Sequence, residues 1–110
     1  MKLIAGNWKH NPTSLKEALA LAKGVTGIKV SDDVEIVVCP PSPYLFPIKE
    51  QNPKLTLGAQ NVSFFEAGAH TGEVGRAILK DLGVEYVIIG HSERRARGEH
   101  DEEIRKKVIA

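Results

Sequence analysis

Four apolar runs alternate with four segments of helical periodicity along this chain. Two of the runs, VEIVVCP (34–40) and EYVIIG (85–90), are apolar almost without a break. Side chains leave a strand on opposite sides at successive residues, so a strand wetted on one face alternates polar with apolar. An unbroken run suits a strand covered on both faces, the situation of a parallel sheet flanked by helices. KLIAGNW (2–8) and KLTLGAQNV (54–62) complete four expected strands.

The segments between them carry helix signals. In SLKEALALAKGV, Leu15, Ala18, Leu19 and Ala22 fall at i, i+3, i+4 and i+7 and make one apolar stripe. Ser14 stands three residues before Glu17, the spacing of a capping box, with Pro12 just upstream. SPYLFPIKEQ predicts a shorter helix, limited by Pro47. RAILKDLG predicts a helix closed by Gly83 just past its end. DEEIRKKVIA opens acidic and turns basic, as the helix dipole favours, and offers Glu102–Lys106 and Glu103–Lys107 as i,i+4 pairs.

The order βαβαβαβα with short connections predicts a parallel sheet with right-handed crossovers. Two architectures fit it: a small open doubly wound sheet, and half of an eight-stranded barrel. No glycine-rich phosphate fingerprint follows any strand, and GAHTGEVG (68–75) is neither a dinucleotide motif nor a P-loop. That weakens the nucleotide-binding version of the open sheet. The 110 residues, 42% of them hydrophobic, suit a single domain over 1–110. A net charge of +1 gives no basis for a nucleic-acid or anionic-membrane partner. No apolar run approaches the roughly 18 residues of a membrane span, and MKLIAGNW lacks the marks of a signal peptide. The single Cys39 cannot form an internal disulfide, so the expected setting is reducing and cytoplasmic. KKVIA (106–110) stops without a capping glycine, turn or proline, which predicts a helix cut short and a truncated domain.

Active sites of parallel α/β folds gather at the C-terminal ends of the strands. The first strand delivers Asn7, Lys9, His10 and Asn11 there, and the fourth delivers His91, Ser92 and Glu93. In an extended segment, residues two apart share a face, so Asn7 and Lys9 are expected to point the same way. A lysine, an asparagine and a histidine on one rim match an anionic carbonyl substrate. The cation holds negative charge, the imidazole polarises the carbonyl, and the amide orients the rest.

AGNWKHN (5–11), LGAQNV (57–62), GAHTGEV (68–74), LKDLGVEYVIIGHSERR (79–95) and KKVIA (106–110) resemble the triosephosphate isomerase family in order and spacing. The resemblance runs over essentially the whole chain. It implies a parallel (β/α)4 half of a TIM (β/α)8 barrel, a triose phosphate substrate and no cofactor. It also implies roles. Lys9 resembles the lysine that faces the substrate's negative charge, and Asn7 the asparagine that binds beside it. His91 resembles the electrophile; this family is itself a standard illustration of a neutral catalytic histidine. Glu93 resembles the carboxylate that holds the lysine. Thr71, followed by Gly72 and Glu73, resembles the third loop, which in the family enters the neighbouring subunit's pocket. The family's general base and phosphate-binding loops follow later strands, beyond Ala110. The resemblance therefore predicts that this chain alone has no meaningful isomerase activity.

Some residues depart from the family pattern. His10 stands where an apolar residue is usual, His70 where an aromatic is common, and Gly75 in place of a capping serine. The stretch between Arg95 and Glu99 is one residue shorter than the usual loop. Other residues have plain structural readings. Cys39 is expected in the core and Trp8 packed beside the site. Arg94 and Arg95 read as surface ion pairs, Glu99 as a brace for the loop, and ERRARGEHDEEIRKK as a solvated charged face. His10, His70 and His100 lack metal-ligand spacing, so no metal is expected. A half-barrel leaves its first and fourth strands as open edges and its inner apolar face uncovered. The expected partners are a second copy, forming a closed homo-oligomer, or a complementary C-terminal half-barrel. The alternative function is a non-catalytic, self-assembling half-barrel.

Overall fold

The computed structural model describes all 110 residues. The elements are β1 (Lys2–Asn7), α1 (Leu15–Thr26), β2 (Val34–Cys39), a 3-10 turn (Ser42–Tyr44), α2 (Leu45–Gln51), β3 (Thr56–Ala59), α3 (Arg76–Asp81), β4 (Tyr86–Val87), α4 (Ser92–Arg95) and α5 (Asp101–Ile109). The strands form one parallel sheet in the order β1-β2-β3-β4. This is the curled, four-stranded α/β half-barrel expected from the alternation of runs. No helix is long and apolar enough to cross a membrane.

The core lies between the outer face of the sheet and the helices. Ala18 and Ala22 of α1, Val38 of β2, Leu45 and Ile48 of α2, Leu57 and Ala59 of β3 and Leu79 of α3 belong to one buried cluster. Each fully buried large side chain, such as Leu45, Ile48 and Leu57, contributes about 1.5–3 kcal/mol. On the opposite, inner face, Val37 and Cys39 lean over Gly58. A Cβ at Gly58 would lie 2.6 Å from Cys39 Sγ and 3.3 Å from Val37 Cγ1. Cys39 is buried, as the sequence suggested, and burial pushes its thiol pKa up.

Local signals placed the helix ends. Ser14 Oγ accepts from the Glu17 N–H at 3.2 Å. Gly83, at φ +80, closes α3 with a Schellman pair: its N–H donates to Lys80 O, and the Val84 N–H donates to Leu79 O, both at 3.0 Å. Pro47 falls in the first turn of α2, where its missing N–H leaves no intrahelical bond unmade.

The strands are shorter than the sequence suggested. β3 spans four residues rather than 54–62, and β4 two rather than 85–90. β4 has a neighbour on one side only, so its ladder reaches no further than the bonds from the Glu85 N–H to Leu57 O and from the Ile88 N–H to Ala59 O. Both edges are open. Leu3 and Ile4 of β1 are 49% and 56% exposed, and Tyr86 and Val87 of β4 are partly exposed too.

Two expectations about charge need correction. Glu102 pairs with Arg105 at 3.3 Å instead of Lys106, whose ammonium lies 5.3 Å from the centre of the Phe64 ring. The Glu103–Lys107 pair is present at 3.7 Å. The run from Glu93 to Lys107 is not wholly a solvated face either: Glu99 and Lys107 are only 8% and 4% exposed. The Lys107 ammonium lies 3.1 Å from Glu99 Oε2 and donates to Asn61 Oδ1 at 2.8 Å. Burial is tolerated because each charge finds a partner.

Candidate active site

Asn7 ends β1 opposite Cys39, and the Trp8 N–H extends the ladder to Cys39 O at 3.0 Å. The chain then turns. Lys9 has φ +56, in the left-handed region that a side-chain-bearing residue seldom occupies. Asn7 Oδ1 accepts from the Lys9 N–H at 2.9 Å, and Gln60 Nε2 donates to Lys9 O at 2.7 Å. The expectation that Asn7 and Lys9 share a face by strand alternation is therefore wrong in its reason. Lys9 is not extended; the turn brings it to the cavity that Asn7 also lines.

At the other side of the sheet, Gly90 (φ +71) redirects the chain from β4 into α4. Its missing Cβ leaves room for Ile104, whose Cγ2 would otherwise lie 3.3 Å away. His91 becomes the N-cap of α4, and its Nδ1 accepts from the Glu93 N–H at 3.0 Å. An accepting Nδ1 carries no proton, so this tautomer has its hydrogen on Nε2 and can donate from there.

Lys9 Nζ lies 3.0 Å from Glu93 Oε1, with both side chains half-exposed. The hydrogen bond from Lys9, aided by that ammonium's charge, holds the Glu93 carboxyl below the usual carboxylate range. The segment behind the site is tied down by ion pairs. Arg94 Nε donates to Glu99 Oε2 at 2.6 Å, and Arg95 Nη1 to Asp101 Oδ1 at 2.7 Å. Burial works against the Glu99 carboxylate, but Arg94 and Lys107 outweigh it and keep its pKa low. Arg95 likewise lowers that of Asp101.

Asn7, Lys9, His91 and Glu93 all line one cavity of about 600 Å³. Gly72 (φ +86) and Glu73 line it as well, and Thr71 is exposed on the same loop. An ammonium, an imidazole N–H and a side-chain amide around one space can hold an anion and draw electron density from a carbonyl oxygen. Sequence reasoning missed Gln60 and the burial of Glu99 and Lys107. Gln60 stands in LGAQNV directly after β3, so its place at the C-terminal end of a strand is the signal that points to it.

Comparisons with known proteins agree with this geometry. A family model described as triosephosphate isomerase matches residues 2–110. The chain is 48% identical over 110 residues to a triosephosphate isomerase of Carboxydothermus hydrogenoformans, covering 97% of this chain and 44% of that protein. It is 49% identical over 109 residues to that of Alkaliphilus oremlandii, covering 96% of this chain and 44% of that protein. The chain thus spans less than half the length of these relatives. A family match across nearly every residue, on a curled parallel half-barrel, shows that the chain belongs to the triosephosphate isomerase family.

Proposed function

We propose that residues 1–110 form one domain that supplies half of the active site for interconversion of dihydroxyacetone phosphate and glyceraldehyde 3-phosphate, a step of glycolysis and gluconeogenesis, in the cytoplasm. The observation that carries this reading is the Lys9–Glu93 pair beside His91, all three on one cavity. The reaction removes a proton from the carbon next to a carbonyl, and negative charge grows on the carbonyl oxygen as it leaves. The Nε2–H of His91 is the donor for that oxygen. Lys9 holds the charge of the anionic substrate, Glu93 fixes the lysine, and Asn7 orients the substrate beside it. Thr71, Gly72 and Glu73 are a contact surface for a second subunit. No cofactor or metal takes part.

The proton acceptor is the missing part. Glu93 is a poor candidate, because its pKa is lowered and its oxygen is held by Lys9. By family resemblance the base and the phosphate-binding loops come from a complementary C-terminal half-barrel. Without the base alone, the rate falls by about 10²–10⁴-fold. A coupled isomerase assay on this chain, before and after adding such a half from a relative, tests the reading. Activity only in the mixture supports it, and activity in the isolated chain, free of host enzyme, contradicts it. The second reading, a self-assembling half-barrel without catalysis, is favoured by the exposed Leu3 and Ile4 on an open edge. Assembly into a closed homo-oligomer that the added half neither disrupts nor activates would select it.

A further inference from the structure

Lys9 is held in a conformation that it would not adopt unaided. A left-handed backbone costs a residue with a side chain about 1–2 kcal/mol, so something must over-determine it. Its N–H is taken by Asn7, a local contact two residues away. Its carbonyl is taken from far along the chain, by the side-chain amide of Gln60, just past β3. The same nitrogen, Gln60 Nε2, also donates to Cys39 O at 2.8 Å, the carbonyl that accepts from the Trp8 N–H. One amide group therefore uses both its hydrogens to fasten the turn after β1 to the end of β2.

The consequence lies at the lysine's far end. Were Lys9 to relax to negative φ, its Cα–Cβ bond would swing away from the direction that now brings Nζ within 3.0 Å of Glu93. We propose that Gln60 is a positioning residue, whose amide keeps Lys9 left-handed and so aims its ammonium at Glu93 and the cavity. The importance of that aim rests on the reading of Lys9 as the substrate-facing cation. Gln60 acts through the Lys9 main chain, and its donors are engaged by carbonyls rather than offered to a ligand.

The test uses isotope-labelled chain and needs no activity, so its failure is distinguishable from failure of the isomerase reading. A residue at positive φ shows a strong intraresidue NOE between its amide and α protons. The carboxyl carbon of Glu93 reports its titration against the groups that face it, the Lys9 ammonium from the β1 turn and the His91 imidazole from its own element. In the unaltered chain, Lys9 should show the strong NOE and Glu93 a midpoint below that of an ordinary glutamate. Gln60→Met keeps the length and removes both donors. It should weaken the NOE and raise the Glu93 midpoint towards that of Lys9→Met. Tyr44→Phe is the control, because it removes the bond from Tyr44 Oη to Pro12 O in the same region without touching Lys9. It should lower stability and leave the Glu93 midpoint in place. The proposal is overturned if Gln60→Met leaves the NOE and the midpoint unchanged, or moves them no more than Tyr44→Phe does. It is also overturned if Gln60→Met and Gln60→Asn both fail to fold where Tyr44→Phe folds, since Gln60 would then be a general scaffold residue.

Discussion

Lys107→Met tests the buried ion group behind the loop that carries His91 and Glu93. The ammonium removed is 4% exposed, lies 3.1 Å from Glu99 Oε2 and donates to Asn61 at 2.8 Å. Breaking a buried pair by deleting one partner costs about 3–5 kcal/mol, because the other charge stays buried. Glu99 keeps Arg94 at 2.6 Å, so the loss belongs at the lower end, about 3 kcal/mol at neutral pH. For a chain of this size that lowers Tm by roughly 12 °C or more. The loss should depend on pH. Glu99 has a folded pKa below its unfolded value, so its stabilisation is present above the unfolded pKa, about 4.3, and is lost as pH falls through the folded one. In Lys107→Met the folded pKa rises, the carboxyl protonates sooner, and the gap between variant and unaltered chain narrows on acidification. Denaturant unfolding between about pH 7 and pH 4 measures both quantities. A loss under about 1 kcal/mol at neutral pH, or one constant across that range, would refute the reasoning.

Other consequences are simpler to test. Gly58→Ala places a methyl 2.6 Å from Cys39 Sγ, so it should cost about 1–3 kcal/mol in denaturant unfolding, and less in a Cys39→Ala background. Gly90→Ala forces a side chain to φ +71 against Ile104, so it should cost at least about 1–2 kcal/mol and shift the His91 resonances. Cys39 is buried with its thiol pKa raised, so in the folded chain it should resist an aromatic disulfide reagent at neutral pH and react fully once denatured.

What could be read in the sequence was what short-range physics decides. Ser14 and Gly83 mark helix ends because a cap bonds within a few residues of itself. The unbroken apolar runs marked strands, since covering both faces leaves no place for a polar side chain. The extent of β4 was not legible, because ladder length depends on a neighbour and not on the strand's own residues. Glu99 and Lys107 looked solvated because charged residues along a helix read alike, whether they face water or a partner such as Asn61. Lys9 misled in a different way. Strand alternation was carried two residues past the end of β1, and the turn that replaces it is held by Gln60, 51 positions away.

The proposed function requires a histidine at residue 91 that donates from Nε2 to a carbonyl oxygen. The nitrogen-15 shifts of the His91 ring, measured on the alkaline plateau where they no longer change with pH, test it directly. The structure predicts an unprotonated Nδ1 bonded to the Glu93 N–H and a proton on Nε2. A proton found on Nδ1 would contradict it, because that tautomer cannot cap α4 and leaves Nε2 without a hydrogen to donate.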